Sequence, residues 1–170
     1  MVPAYLYGNE PVLLKAYAGE YQDMHLGLDG NVANVNASFR FKEFYYGSKY
    51  TPAAYVAIHE GEDKNNSFQF LVTNNGEKDK RLIAGYRIIE NGEEVKIESL
   101  QYVEKSDDIK VKIEFNNGVV KLCLNDGKIE TVNTKLKNVK SYISVSSSSA
   151  EFLLPINKSL KERDALKRAP

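Results

Sequence analysis

A chain of 170 residues in which 23 acidic side chains balance 23 basic ones is long enough to bury a real core in one domain without metals or disulfides. Its single cysteine, Cys123, excludes an intramolecular disulfide framework, and the charge balance argues against duplex DNA or an acidic membrane surface as the partner. No stretch is long enough to cross a bilayer, and MVPAYLYGNE has no basic segment ahead of an apolar run, so a soluble chain of open compartment is expected.

In chain order, residues 11–17 (PVLLKAY) read as a first strand and residues 23–28 (DMHLGL) as a second, with Met24, Leu26 and Leu28 on one face. The loop LDGNVANVN follows. Its Asp29, Asn31, Asn34 and Asn36 offer oxygens of the kind calcium takes, but such a cluster more often serves turn formation. ASFRFKEF sets Phe39 and Phe41 against Arg40 and Lys42, and FYYGSKYTPAAY is interrupted by Gly47, Ser48 and Pro52. Strands AYVAIHE and SFQFLVTN turn Val56, Ile58, Phe68, Phe70 and Val72 inward across a polar tip at residues 61–66. A turn at Asn91 and Gly92 then pairs Ile88 with Val95 and Tyr86 with Ile97 on the core face.

The clearest signal is DDIKVKIEFNNGVVKLCLNDGKIETV, residues 107–132. A two-residue turn at Asn117 and Gly118 puts Phe115 opposite Val120, Ile113 opposite Leu122 and Val111 opposite Leu124, all on one face. The other face opposes Glu114 to Lys121 and Lys112 to Cys123, which leaves that thiol outside its own sheet's core and inert. A second turn, at Asp126 and Gly127, sets Leu124 opposite Ile129. KSYISVSSSSAEFLLPI supplies one or two closing strands. Roughly ten to twelve strands at this spacing, each half polar, call for two packed antiparallel sheets. Only the tail departs from strand character: Ser159 and Glu162 have capping-box spacing. The expectation is an all-β sandwich over residues 1–156, followed by a short helix or linker at 157–170.

The run from Asp107 to Leu154, with its Asn-Asn-Gly turn, its Asn-Asp-Gly turn and the closing SYISVSSSSAEF, resembles the closing half of a concanavalin-A-like (laminin-G-like) jelly roll. LLKAYAGEYQDMHLGLDG is similar to the start of the small all-β domain named after farnesoic acid O-methyltransferase, a name that does not establish methyl transfer. The first resemblance implies a non-catalytic binding module with a glycan as ligand. The alternative is a protein-interaction or self-assembly domain, a homo-oligomer joined through an edge strand or a tyrosine surface. A glycoside hydrolase ranks third. Glucanases of the superfamily carry Glu-x-Asp-x-Glu on one strand, whereas this chain has only Glu60-Gly61-Glu62-Asp63, which its glycine places in a turn, so no enzyme is expected.

Other chemistries lack their residues. His25 and His59 are isolated in sequence, with no second ligand at zinc spacing. There is no Gly-x-Ser-x-Gly elbow and no glycine-rich loop between a strand and a helix, so no cofactor is expected. What stands out is aromatic: Tyr45, Tyr46, Tyr50 and Tyr55, whose flat apolar faces and polar tips suit stacking on a sugar or contact with a protein. The absence of tryptophan weakens the lectin case, and the galectin His-x-Asn-Pro-Arg signature is missing too, so no subfamily's sugar-binding residues carry over.

Overall fold

Alternation of apolar and polar residues, punctuated by Asn, Asp and Gly, folds the described part of this chain into antiparallel strands. The computed structural model describes residues 11–27, 30–47, 49–74 and 81–154. They form β1 (Val12–His25), β2 (Val32–Phe44), β3 (Ala53–Glu60), β4 (Ser67–Thr73), β5 (Leu82–Glu90), β6 (Glu93–Val103), β7 (Ile109–Asn116), β8 (Val119–Leu124), β9 (Ile129–Asn133) and β10 (Val139–Leu153). No helix among them is long and apolar enough to cross a membrane. The helix expected at 157–170, and the domain boundary at 156, lie outside the described residues.

The strands hydrogen-bond in the order β6-β5-β4-β3-β10-β2-β7-β8-β9, with β1 also on β10. One strand makes this possible. The first half of β10 pairs with β3, Val139 to Ser146 against Glu60 to Ala53, and its second half pairs with β2, Ser148 to Leu153 against Phe44 to Ser38. Between them Ser147 takes a left-handed φ of 46°, a conformation that non-glycine residues seldom adopt. Strand β1 follows the bend: its register slips between Ala16 and Tyr21, Gly19 has a φ of 82°, and the Gly19 N–H donates to Ser147 Oγ at 3.0 Å. Sequence pattern suggested two strands at 11–17 and 23–28 because that slip interrupts the alternation, but the chain runs through it as one strand.

The sheet therefore curls, and its two halves enclose one core. Val56, Ile58, Phe68, Phe70 and Tyr86 from the β3-β4-β5 half join Val35, Phe39, Ile113, Phe115 and Leu122 from the β2-β7-β8 half in a single buried cluster. Phe39 of β2 meets Phe70 of β4 edge to face, with ring centroids 6.5 Å apart. These strands are not neighbours in either half. Each such side chain fully withdrawn from water contributes about 1.5–3 kcal/mol.

The Asn117-Gly118 hairpin has the expected register throughout, including Glu114 opposite Lys121, with φ of 45° and 92° at the two turn residues. Two other turns differ. At the second, Asn125 and Asp126 are the left-handed pair, with φ of 52° and 57°, so Ile129 falls opposite Cys123 rather than Leu124. Asn and Asp both tolerate this region, so the tight turn closes one residue early, with the Gly127 N–H on the Leu124 carbonyl, and one extra residue after it brings Ile129 opposite Cys123. At Asn91-Gly92 the register slips between Ile88 and Ile89, so that Ile88 faces Lys96 and Arg87 faces Ile97. The bulge turns Val95 and Ile97 out of the core, where pairing with Ile88 and Tyr86 would have placed them.

Candidate functional site

Residues that alternate with the core in the β1-β10-β3-β4-β5 half point to its other face. Strand pairing aligns them in rows across the sheet, and one row reads His25, Tyr142, Ala57, Gln69, Arg87. Its flanking rows hold Asp23, Ser144 and Tyr55 on one side and Lys140, His59 and Ser67 on the other. An outward sheet face ordinarily presents long charged side chains to water. Here it is built largely from small residues with a few large polar ones among them, and Tyr142, His59, Gln69, Ser67 and Ser144 are all buried.

The β3–β4 connection lies against Tyr142, His59 and Ser67. The Lys64 ammonium lies 4.9 Å from the centre of the Tyr142 ring and 5.1 Å from that of Tyr21, and is ion-paired with Asp23. The Lys64 carbonyl accepts from Ser67 Oγ at 3.1 Å. Ser67 in turn accepts from Gln69 Nε2 at 3.1 Å, and Arg87 Nε donates to Gln69 Oε1 at 2.7 Å. The Arg87 guanidinium also sits 5.8 Å over Tyr55, whose ring is 6.2 Å from that of Tyr21. Tyr21 donates to Ser144 Oγ at 2.9 Å.

Two buried polar atoms are left over. Among the described residues the Tyr142 hydroxyl and His59 Nε2 have no hydrogen-bond partner, and the two rings are 5.1 Å apart in a T-shaped contact. His59 Nδ1 lies 2.9 Å from the Asp63 carbonyl. A carbonyl can only accept, so Nδ1 carries the proton and Nε2 of the neutral ring presents a bare lone pair. Burial lowers the His59 pKa below its ordinary value; the Asp63 carbonyl opposes this, while His25, Lys64 and Lys140 reinforce it. The ring is therefore neutral at neutral pH. Burial first, and then Tyr21, holds the Tyr142 phenol well above the usual tyrosine range. Arg87 and, less strongly, Gln69 pull it the other way, the latter without meeting hydrogen-bond geometry. Among the described residues the face thus holds one unspent acceptor and one unspent donor, both buried, beside the Gln69 amide and Arg87 guanidinium, which bond each other, and the rings of Tyr21 and Tyr55.

No family model matches the chain, and no curated protein does. Solved structures do. The chain superposes on the carbohydrate binding module CBM66 from Bacillus subtilis with a TM-score of 0.56 at 12% identity, covering 82% of this chain and 81% of that one. Alginate lyase from Alteromonas sp. 272 gives 0.55 at 8% identity over 79% and 75% of the two chains. A functionally unknown protein from Saccharomyces cerevisiae gives 0.59 at 8% over 88% and 94%. The fold is that of the concanavalin-A-like jelly rolls.

Within this jelly roll the four tyrosines singled out from sequence part company. Tyr55 belongs to the face just described. Tyr45 lies 5.2 Å from Tyr17 with Lys15 over both rings, Tyr46 accepts from Asn74 at 2.8 Å, and Tyr50 is exposed beneath Lys49. The last three sit on the β2–β3 connection, at the end where β10 bends, since the Tyr45 N–H donates to the Ser147 carbonyl. His25 and His59, isolated in sequence, are brought together with ring centroids 5.5 Å apart. The calcium reading fails on geometry: Asn34 and Asn36 are strand residues of β2, Asn31 accepts from the Asn138 N–H, and Asp29 lies outside the described residues. Among the described residues no three His, Cys, Asp or Glu side chains are placed to hold a metal ion. On the other half's outward face, Asn36, Ser38, Lys112 and Cys123 line a depression of about 330 Å³. Its cations are already paired, Lys110 with Asp126 and Lys112 with Glu114. Glu60 and Glu62 answer Lys137 N–H and Lys140, as expected of a hairpin tip. The residues that matter at that tip, Asp63 and Lys64, carried no signal of their own.

Proposed function

We propose that this chain is a carbohydrate-binding module whose ligand lies across the His25-Tyr142-Ala57-Gln69-Arg87 row. The observation that carries this is the pair of buried, unspent polar atoms, the Tyr142 hydroxyl and His59 Nε2, on a sheet face edged by tyrosine rings. Leaving a polar group buried without a partner costs about 1–3 kcal/mol, and a hydroxylated ligand that displaces the Lys64 side chain from over Tyr142 and supplies both a donor and an acceptor recovers it. Tyr21 and Tyr55 supply the flat apolar surface that a sugar ring stacks on. Arg87 and Gln69 orient polar substituents. Tyr45, Tyr46 and Tyr50 are assigned to a flank of the same site, at the β2–β3 connection. Jelly rolls of similar shape include a carbohydrate binding module, which supports the reading at the level of fold.

A glycan array probed with the intact chain tests it. Retention on at least one glycan is expected, with Tyr55→Ala and Tyr21→Ala lowering affinity at least tenfold at unchanged melting temperature. Retention that is lost with Tyr45→Ala and Tyr50→Ala but survives at Tyr21 and Tyr55 would move the site to the β2–β3 connection. Retention indifferent to all four would overturn it.

One observation favours a second reading. A bare imidazole nitrogen beside an un-ionised phenol is a proton acceptor next to a proton donor, which general acid–base cleavage of a sugar chain uses, and similar folds include alginate lyases. New chain ends released from neutral or acidic polysaccharides, lost in Tyr142→Phe, would establish it. No product from any of them at high protein concentration would leave the binding module alone.

A further inference from the structure

Strand β6 ends the sheet order and, among the described residues, pairs with β5 alone. All of it is exposed except Leu100 and Val103. Val95, Ile97 and Tyr102 are 52%, 60% and 62% exposed. Isolated exposed apolar residues are commonplace, but three on one free edge strand make the edge adhesive. The strand is also partly guarded, since its register slips at Ala84/Gly85 and at Ile88/Ile89. Between the slips one run stays regular: Lys96, Ile97, Glu98 and Ser99 face Ile88, Arg87, Tyr86 and Gly85.

We propose that this run pairs antiparallel with the same run of a second copy of the chain, about a two-fold axis through Ile97. A two-fold interface must be self-complementary, and this register is. Lys96 falls opposite Glu98 of the second copy, and Glu98 opposite its Lys96, two opposite-charge pairs on one face. Ile97 meets its own copy on the other face. Ser99 meets Val95, at the register slip that ends the run, and no like charges are opposed. Moving the axis by one residue opposes Lys96 to Lys96 or Glu98 to Glu98, so charge selects the register as well as the partner. The pairing joins two sheets at their β6 edges and withdraws Ile97 from water. It does not depend on what the row at Tyr142 binds.

Light scattering and sedimentation on the intact chain test it, with melting curves to show that each variant is folded. The wild-type mass should climb from 19.2 kDa toward twice that value as concentration rises. Lys96→Glu and Glu98→Lys should each raise the concentration of half-association at least tenfold, because each opposes like charges twice. The double variant Lys96→Glu/Glu98→Lys restores both pairs and should return to within a few-fold of wild type. A wild type that stays at the single-chain mass at millimolar concentration overturns the proposal, whether the edge is idle or held by another partner. A double variant no better than the singles overturns it as well.

Discussion

Tyr142 and His59 place opposite demands on folding and on binding. Removing the Tyr142 hydroxyl deletes an unpartnered buried group and keeps the ring contacts with His59 and Lys64. Tyr142→Phe should leave the urea midpoint unchanged or raise stability by about 1 kcal/mol while weakening glycan retention. A loss of more than about 1 kcal/mol would mean that the hydroxyl has a partner in solution. His59 makes the complementary prediction for pH. Its folded pKa is lowered from 6.5, so once the pH falls below that value the unfolded chain binds the proton that the folded one refuses. Stability from this group is complete above 6.5 and declines as the pH falls toward the folded pKa. His59→Leu should flatten that part of a stability profile measured by urea melts. An unchanged slope would assign the acid sensitivity to other groups.

Single strands and turns show what sequence can and cannot reveal. The Asn117-Gly118 hairpin was legible because turn chemistry and alternation independently specify one register. Ile113→Ala and Leu122→Ala should each cost about 2–5 kcal/mol in denaturant melts, and Lys121→Ala little. Neighbouring β5 and β6 were misjudged because a bulge has no fixed composition, and an Asn-Gly turn with alternating flanks reads the same with it or without it. Gly85 is the closest thing to a marker there. A Cβ on it would lie 2.1 Å from the Glu98 carbonyl oxygen, too close for any side chain. Gly85→Ala should therefore force β6 outward and cost about 1–3 kcal/mol, read as a lower melting temperature. The site itself was illegible for a different reason. His25, His59 and Tyr142 come from β1, β3 and β10, and only the strand order sets them side by side. Tyr55 stands out in the sequence because aromatic residues crowd its segment, whereas its neighbours Tyr21 and Arg87 do not.

For the molecule as a whole, strand count and paired hairpins were enough to indicate an all-β fold of packed antiparallel strands, the jelly roll entering by resemblance, but not how its halves are joined. A run of small residues, SVSSSSA, conceals the bend at Ser147, since nothing in four consecutive serines says which takes the left-handed conformation. That bend has a consequence in time. β1, β2 and β3 all pair with β10, so during synthesis the first three strands leave the ribosome well before the strand that joins them. They must wait with open edges until nearly the whole described chain has emerged. Closure then depends on contacts between distant parts of the sequence, the kind that make folding slow. Refolding from urea should be correspondingly slow, on the order of milliseconds to seconds, and a chain stopped before Val139 should be held in solution only by a chaperone.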